Sequence, residues 1–313
     1  GPVRVPDLPA VGERTLATGL RMVAASRPGV PRIEMRLRIP FSAARPTGDG
    51  ARERLLADTI TSGTVERGAL AIAQDLQHLG ASLRASATAD ELVVSGSSLA
   101  ETAVPFFDLV AEVLSDASYD DEEVAVAQGR SAQEATIVRS QPTVMAADAL
   151  VGRLYGRHPY GRGVPPPESY HGVAAAALRR LHASRVVPSG ATLVVVGDLR
   201  PDELLDMVHG SLGAWKGEAS TGGLKAPATP TPSATLLVDR PGSVQSNIRL
   251  GGPAVGRAHP EHARLQVTNI VFGGYFSSRL VANLREDKGY SYSPRSSIGH
   301  RRLASELTVA AEV

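Results

Sequence analysis

The first part of the chain carries two stretches with the period of a β-strand. Residues 33–39 read Ile-Glu-Met-Arg-Leu-Arg-Ile, and this strict alternation of apolar and charged side chains predicts a half-buried strand. A second strand is expected over residues 15–25, bent at Gly19. Because the turn signal Arg27-Pro28-Gly29 lies between the two stretches, we expect them to form a hairpin.

Helical periodicity begins after this hairpin. It predicts a pair of short helices over residues 51–61 and 69–79, and Gly80 is expected to end the second as a C-terminal cap. The remaining predicted elements are strands over 82–88, 91–98 and 192–196 and helices over 101–114, 120–139, 143–154, 173–185 and 201–212. Because helical runs are segregated from strand runs, the sequence predicts an α+β fold with helices packed on one side of a largely antiparallel sheet.

A linker and a repeat divide the chain into domains. Residues 216–233 are rich in Gly, Ala, Pro, Ser and Thr, which is typical of an exposed linker. The sequence therefore predicts an N-terminal domain over 1–215 and the first part of a C-terminal domain over 234–313.

The repeat lies on the two sides of this linker. Arg240-Pro241-Gly242 repeats Arg27-Pro28-Gly29, and Arg249-Leu250 and Pro253 repeat Arg36-Leu37 and Pro40 at the same spacing along the chain. This constant distance, called the repeat spacing below, predicts an internal duplication. Residues 235–313 then match only residues 22–100, so we expect the second domain to be incomplete, through truncation or proteolysis.

Composition excludes several classes of function. Of the 313 residues, 42% are hydrophobic and 21% charged, and the formal net charge is +1, so there is no electrostatic case for nucleic acid or an anionic membrane as a partner. The lack of cysteine excludes disulfides and thiolate chemistry and fits a reducing compartment. No apolar run approaches the roughly 18 residues of a membrane span, and no signal-peptide core is present. We therefore expect a cytoplasmic protein.

The helix over 51–61 ends in Ser62-Gly63-Thr64, and this segment resembles the place where inverzincin peptidases carry H-x-x-E-H. In those enzymes the two histidines bind zinc and the glutamate acts on the attacking water. The matching positions here are Arg54, Ala57 and Asp58, and the family's spacing places the third ligand at Glu134. Neither histidine is present, and the carboxylates of Asp58 and Glu134 alone do not make the three-ligand set of a catalytic zinc, so no metal is expected in this chain. The sequence favours a solvated helical glutamate over a metal ligand at Glu134.

A second segment, from Gly273-Gly274 through Ser277-Ser278-Arg279-Leu280 and Arg285-Glu286 to Gly289 and Tyr292-Ser293, resembles the C-terminal domain of insulinase/pitrilysin-type metallopeptidases. The resemblance implies that Arg285 and Tyr292 hold the substrate backbone and stabilise the oxyanion of the tetrahedral intermediate. Because Gly289 is expected to end the helix, Arg285 lies in its last turn and Tyr292 starts the next strand, which lets the two side chains converge.

The resemblance as a whole implies one half of a clamshell built from two homologous domains. It implies that a homologous, zinc-bearing partner subunit holds the metal and that the heterodimer cleaves unstructured peptides or leader peptides. The isolated chain is then expected to be inactive and to bind no cofactor of its own.

Two alternatives stay open. The chain could be a structural or peptide-binding scaffold without catalysis, in which case Arg285 complements the helix macrodipole and Tyr292 is a half-buried strand residue. It could also be a self-sufficient hydrolase with an unconventional metal site assembled from its scattered histidines, which are His78, His158, His171, His209, His259, His262 and His300. The loop Arg157-His158-Pro159-Tyr160-Gly161 is interpreted as structural support.

Overall fold

The computed structural model of the protein describes residues 9–41, 48, 50–218, 223–232 and 234–313. Its residues fall into two compact units. Unit 1 comprises Gly1–Ala44, Gly50–Ser131 and Glu168–Gly223, and unit 2 comprises Arg45–Asp49, Ala132–Pro167 and Leu224–Val313. These units group residues by contact and do not test the predicted domain boundaries at 215 and 234, which stay a prediction.

The strands form two sheets. In unit 1 the order is β1-β2-β6-β3-β5-β4, and in unit 2 it is β7-β9-β8. All neighbouring pairs are antiparallel except β2 and β6, which are parallel. The strands are β1 Val11–Thr15, β2 Arg21–Ser26, β3 Arg32–Pro40, β4 Ser82–Ala87, β5 Glu91–Leu99, β6 Thr192–Gly197, β7 Asn247–Pro253, β8 Arg295–His300 and β9 Ser305–Glu312.

The helices lie between and after these strands. They are α1 Ala51–Thr59, α2 Ala69–His78, α3 Ala103–Asp116, α4 Asp121–Arg139, α5 Pro142–Tyr155, α6 Pro167–His171, α7 Ala175–Arg185, α8 Pro201–Leu212, α9 His262–Asn269 and α10 Arg279–Val281. A 3₁₀ turn covers Pro159–Gly161, and π-helical segments cover Ile270–Gly274 and Ala282–Asp287. The predicted α+β class is therefore confirmed.

The predicted N-terminal hairpin is wrong in its pairing. Residues 15–25 do not form one bent strand, because a tight turn at Gly19, with φ of +86°, separates β1 from β2. The hairpin is β1 with β2, and β6 lies between β2 and β3. This insertion joins segments that are distant in sequence, since Arg21 pairs with Thr192. Parallel pairs need long crossovers that local periodicity does not reveal.

Most other predicted elements are confirmed. Gly80 follows α2 with φ of +58°, as a C-terminal cap requires. The segment predicted as one helix over 173–185 contains α7, preceded by the separate short helix α6. None of the helices in the described part of the chain is long and apolar enough to cross a membrane. The cytoplasmic location stays a prediction.

The core of unit 1 lies between its sheet and its helices. On β3 the apolar residues Ile33, Met35, Leu37 and Ile39 are buried and the charged residues between them are exposed, which is the alternation read from the sequence. Helix α3 packs directly on the sheet, since a Cβ added to Gly96 of β5 would lie 2.7 Å from the ring of Phe106. Close approach of this kind is what a strand glycine permits.

Unit 2 repeats part of unit 1. The order β3-β5-β4 recurs as β7-β9-β8, and the pair Ser82 with Ser97 recurs as Arg295 with Ala310 at the repeat spacing. The pairing register differs between the copies only in the first strand. Arg36 of β3 pairs with Ser95, whereas its counterpart Arg249 of β7 pairs with Ala310. The shift is by two positions, which keeps side chains on the same face. The duplication predicted from sequence is thus present in the fold.

Candidate functional site

The segment between β7 and β8 contains both π-helical turns of the described chain. The first turn, Ile270–Gly274, continues α9, and the second, Ala282–Asp287, continues α10. The side chain of Ser278 caps α10 by accepting a hydrogen bond from the backbone N–H of Val281. π-Helical turns are rare in proteins, and those that occur are often found at functional sites. This geometry therefore favours a functional role for the segment.

Two glycines allow close packing in this segment, Gly273 against β8 and Gly274 against the end of α9. A Cβ on Gly273 would lie 2.8 Å from the backbone nitrogen of Ser296, and a Cβ on Gly274 would lie 3.0 Å from the carbonyl oxygen of Asn269. The Ser296 hydroxyl donates a hydrogen bond of 2.7 Å to Oδ1 of Asn269. Packing therefore leaves no room for a side chain at Gly273 or Gly274.

Arg285 and Tyr292 are brought together, as the sequence predicts. The guanidinium carbon of Arg285 lies 4.5 Å from the ring centroid of Tyr292 and 5.0 Å from that of Phe276. These three residues are called the Arg285 stack below. Both distances are within the range of cation–π attraction. Phe276 was not predicted as a site residue from the sequence, although it lies two positions after the glycine pair.

The helix end creates this convergence. Gly289 has φ of +62°, and the backbone N–H groups of Gly289 and Tyr290 donate to the carbonyl oxygens of Arg285 and Leu284. The chain reverses there and returns Tyr292 to the guanidinium. One detail of the prediction is wrong, because Tyr292 lies before β8, which begins at Arg295, and not at the start of the strand.

The Arg285 stack is largely open to solvent. Tyr292 is 77% exposed and Phe276 69% exposed, whereas the Arg285 side chain is 28% exposed. Tyr292 is thus not a half-buried strand residue. Arg285 also forms an ion pair of 3.2 Å with Glu286, in the last turn of the helix. The arrangement holds a charged donor beside a phenol on one accessible surface.

The residues at the zinc-motif positions do not form a metal site. Arg54 is exposed, Ala57 is buried, and Asp58 accepts a hydrogen bond of 3.1 Å from the hydroxyl of Ser131. Glu134 is exposed on α4. A guanidinium and a methyl group offer zinc no ligand atom. Within the described residues, no group of three or more His, Cys, Asp or Glu side chains has an arrangement that could hold a metal ion.

The histidines have other surroundings. His158 accepts from the backbone N–H of Tyr160 through Nδ1 and bonds the carbonyl oxygen of Lys225 through Nε2. His262 and His300 are in ring contact with each other, at 5.0 Å between centroids. The remaining scattered histidines, His78, His171, His209 and His259, belong to no metal-binding group of the kind just described.

His182, which was not among the histidines singled out from the sequence, is buried in unit 1. Its Nε2 lies 3.0 Å from the carbonyl oxygen of Leu114, so Nε2 carries the proton and the hydroxyl of Tyr119 donates to Nδ1 at 2.8 Å. Burial lowers the pKa of His182, against the opposing effects of the Leu114 carbonyl and of Asp116. The imidazole is therefore held neutral, as a structural residue.

A polar cluster in unit 2 connects the end of α5 to the β8–β9 hairpin. The hydroxyl of Tyr155 donates a hydrogen bond to the carboxylate of Glu306. The same carboxylate accepts a hydrogen bond of 3.4 Å from Nε of Arg301. Burial, followed by the bond to Glu306, raises the pKa of Tyr155 to about 12. Tyr160 accepts from the backbone N–H of Leu303 at 3.2 Å. These contacts agree with a structural role for the loop at 157–161.

Comparisons with known proteins identify relatives of the whole arrangement. Residues 172–309 match the family model described as Peptidase M16 inactive domain. An uncharacterized zinc protease of Mycobacterium leprae is 25% identical over 289 residues, covering 91% of this chain and 65% of that protein. An uncharacterized zinc protease of Bacillus subtilis is 24% identical over 284 residues, covering 89% and 68%. The chain thus spans about two thirds of the length of these relatives.

Solved structures share the fold. A peptidase M16 inactive domain from Pseudomonas fluorescens superposes with a TM-score of 0.86 at 22% identity, covering 97% of this chain and 74% of that one. The first half of the periplasmic protease PqqL from Escherichia coli gives 0.74 at 15% identity, covering 99% and 69%. These likenesses show that the chain shares the fold of these proteins.

Proposed function

We propose, from the premise that this chain belongs to the insulinase-type (M16) peptidase family, that it is the subunit without zinc in a heterodimeric metalloendopeptidase. In this proposal Arg285 and Tyr292 bind substrate and stabilise the oxyanion in the active site of a homologous partner. The substrates are unstructured peptides or leader peptides. The observation that carries the proposal is the Arg285 stack.

The chemistry suits the two side chains. When a peptide bond is attacked, negative charge develops on the carbonyl oxygen, and donors already in place there are commonly worth about 3 to 4 kcal/mol each. Arg285 offers planar N–H donors that stay charged at any physiological pH. Its position over the Tyr292 ring restricts the guanidinium before substrate arrives. The exposed phenol of Tyr292 offers a second donor on the same surface.

The division between two chains rests on what this one lacks. Arg54 and Ala57 stand where a zinc-binding chain needs a histidine and a glutamate, so the metal is assigned to the partner. The fold supports such a pairing, because this chain resembles the first half of PqqL and covers 35% of the whole of that protease.

A scaffold without catalysis is the second candidate. The family model that matches residues 172–309 is described as an inactive domain, which favours this alternative. In a scaffold, the Arg285 stack would serve only to shape the surface. The two candidates therefore differ in how peptide turnover responds when a single hydrogen-bond donor is removed.

The decisive experiment uses a complex of this chain with a homologue that carries H-x-x-E-H. Arg285→Ala and Tyr292→Phe are expected to lower peptide turnover by about 10² to 10³-fold each, with the zinc content of the complex unchanged. Arg264→Ala is the matched control, because the Arg264 side chain is 81% exposed and its ion pair is with Glu261 in the preceding turn. Unchanged turnover in both stack variants would establish the scaffold instead.

A further inference from the structure

The sheet of unit 1 has a second face, opposite the core, on which the charged side chains of β3 are exposed. Residues paired between neighbouring strands project their side chains to the same face, so the register shows which of them are neighbours. Arg36 of β3 is paired with Ser95 of β5, and Ser95 is paired with Arg84 of β4. Arg36 and Arg84, both exposed, therefore lie in one row on this face, on the two sides of Ser95.

The other charged side chains on this face are paired with one another. Three arginines each form an ion pair of 2.5 to 2.8 Å with a glutamate of the same face, and the pairs are Arg21 with Glu13, Arg32 with Glu34 and Arg38 with Glu91. These glutamates are the only carboxylates that the described strands place on this face. Within the described part of the chain, neither Arg36 nor Arg84 has an ion pair. The row therefore carries two positive charges that no carboxylate of the sheet balances.

The second copy of the duplicated unit lacks this unbalanced charge. Arg249 stands at the position of Arg36 in the repeat, but it forms an ion pair of 3.1 Å with Glu312, and its side chain is only 9% exposed. The position of Arg84 is taken by Ser297, whose hydroxyl is hydrogen-bonded to a side chain of the next strand. The pair of free arginines is thus a property of the first copy and not of the repeated fold.

The surroundings of the two arginines favour an extended ligand. Neighbouring strands are about 4.8 Å apart, so the Cα atoms of Arg36 and Arg84 are separated by about 10 Å. The small, half-buried Ser95 leaves space between the two guanidinium groups and offers a hydroxyl. On the other side of Arg36 the row continues with Val194, which is 37% exposed. A ligand lying along the row meets a cation, a hydroxyl, a second cation and an apolar surface in that order.

We propose that this row, formed by Arg84, Ser95, Arg36 and Val194 and called the Arg36 row below, binds an acidic segment of an extended peptide. Each guanidinium can donate two parallel N–H bonds to a carboxylate, which is the ligand group that the planar fork of arginine fits best. In an extended chain every second side chain lies on the same face, about 6.8 Å from the last. The expected motif is therefore acidic-x-acidic-x-apolar, with the apolar residue on Val194.

Binding to this chain alone tests the proposal, which does not rest on the proposed function because no turnover is required. The probe is a fluorescently labelled peptide of sequence Ser-Glu-Ser-Glu-Ser-Val-Ser, and fluorescence anisotropy gives its Kd. We expect one peptide per chain, with binding that weakens between about 50 mM and about 300 mM salt because the charges become screened. The same peptide with both Glu replaced by Gln is expected to bind about tenfold more weakly, since two ion pairs are lost.

Variants of the two arginines locate the site. Arg36→Ala and Arg84→Ala are each expected to weaken binding of the Glu peptide about threefold, and the double variant about tenfold. Arg130→Ala is the matched control, because Arg130 is exposed on α4 and its removal takes the same charge from unit 1. The Kd of this control is expected to stay at the parent value.

Four results would overturn the proposal. They are a parental Kd in the double variant, an equal loss in Arg130→Ala, equal binding of the Gln peptide, and displacement of the Glu peptide by inorganic phosphate at the same concentration. The second would reduce the effect to net charge, and the last would assign the Arg36 row to a free anion in place of a peptide.

Discussion

The two copies of the duplicated unit share their topology and differ in what their helices do. In the first copy, α1 and α2 are regular helices between β3 and β4, and Ile72 of α2 is 1% exposed. In the second copy the same stretch is broken by two π-helical turns, and Arg285 stands at the position of Ile72 in the repeat. One copy uses this position for packing and the other for a cation.

Aromatic residues follow the same division. The exposed Phe and Tyr side chains among the described residues all fall in the second copy, and they are Phe272, Tyr275, Phe276, Tyr290 and Tyr292. In the first copy the position of Tyr292 is taken by the half-buried Leu79. The two copies thus share the sheet, whose register determines which side chains point toward the core. Their helical segments differ and carry different side-chain chemistry.

The largest expected difference between the copies comes from removing the same residue from both. Leu37 is fully buried on β3, and Leu250 on β7 has the same place in the repeat but is 61% exposed. We expect Leu37→Ala to lower the free energy of unfolding by about 2 to 5 kcal/mol, and Leu250→Ala to change it by less than about 0.5 kcal/mol. Equal losses in denaturant unfolding would show that the copies do not differ in this way.

The next test concerns the π-helical turn that only the second copy has. Gly273 stands at the position of the buried Ile60, and it has no room for a side chain against Ser296. Gly273→Ala is expected to cost about 1 to 3 kcal/mol in the free energy of unfolding. Gly252→Ala is the control, since nothing lies within 4 Å of the added Cβ and φ there is not in the left-handed region. Thermal unfolding of the two variants, compared with the parent, measures the difference.

The smallest expected effect is a pH dependence that belongs to unit 1. Burial lowers the pKa of His182 below its ordinary 6.5, so the unfolded chain binds a proton more readily than the folded one. Stability from this residue is therefore complete above pH 6.5 and declines as the pH falls below it. In His182→Asn this part of the pH dependence is expected to disappear, even though the variant is less stable at neutral pH.

The control for that measurement is His78→Asn, because His78 is exposed on α2. Unfolding midpoints from pH 8 to pH 5 give the slope for each protein. An unchanged slope in His182→Asn, or an equal change in His78→Asn, would contradict the assignment of a neutral, buried imidazole.

Local patterns predicted much of the fold. The alternation in β3, the cap at Gly80 and the bounds of α8 could all be predicted, because each depends on neighbours within a few positions. The position of β6 within the sheet could not be predicted, since its apolar run is compatible with any buried strand and its partner strands are distant in sequence. For the same reason the turn at Gly19 was interpreted as a bend and not as a reversal of the chain.

The candidate site was predictable in part. Arg285 and Tyr292 were found through resemblance and spacing, and their convergence followed from the helix end at Gly289. Phe276 was missed because a contact across a π-helical turn has no fixed spacing. His182 was missed because burial of a lone histidine leaves no periodic signal.

The division of labour between two subunits can be tested by purifying this chain and a homologous H-x-x-E-H subunit separately. Zinc content and peptide cleavage are then measured for each protein alone and for the mixture. We expect zinc in the partner only, and cleavage only after mixing. Zinc bound stoichiometrically by this chain, or full cleavage by the partner alone, would contradict the proposed division.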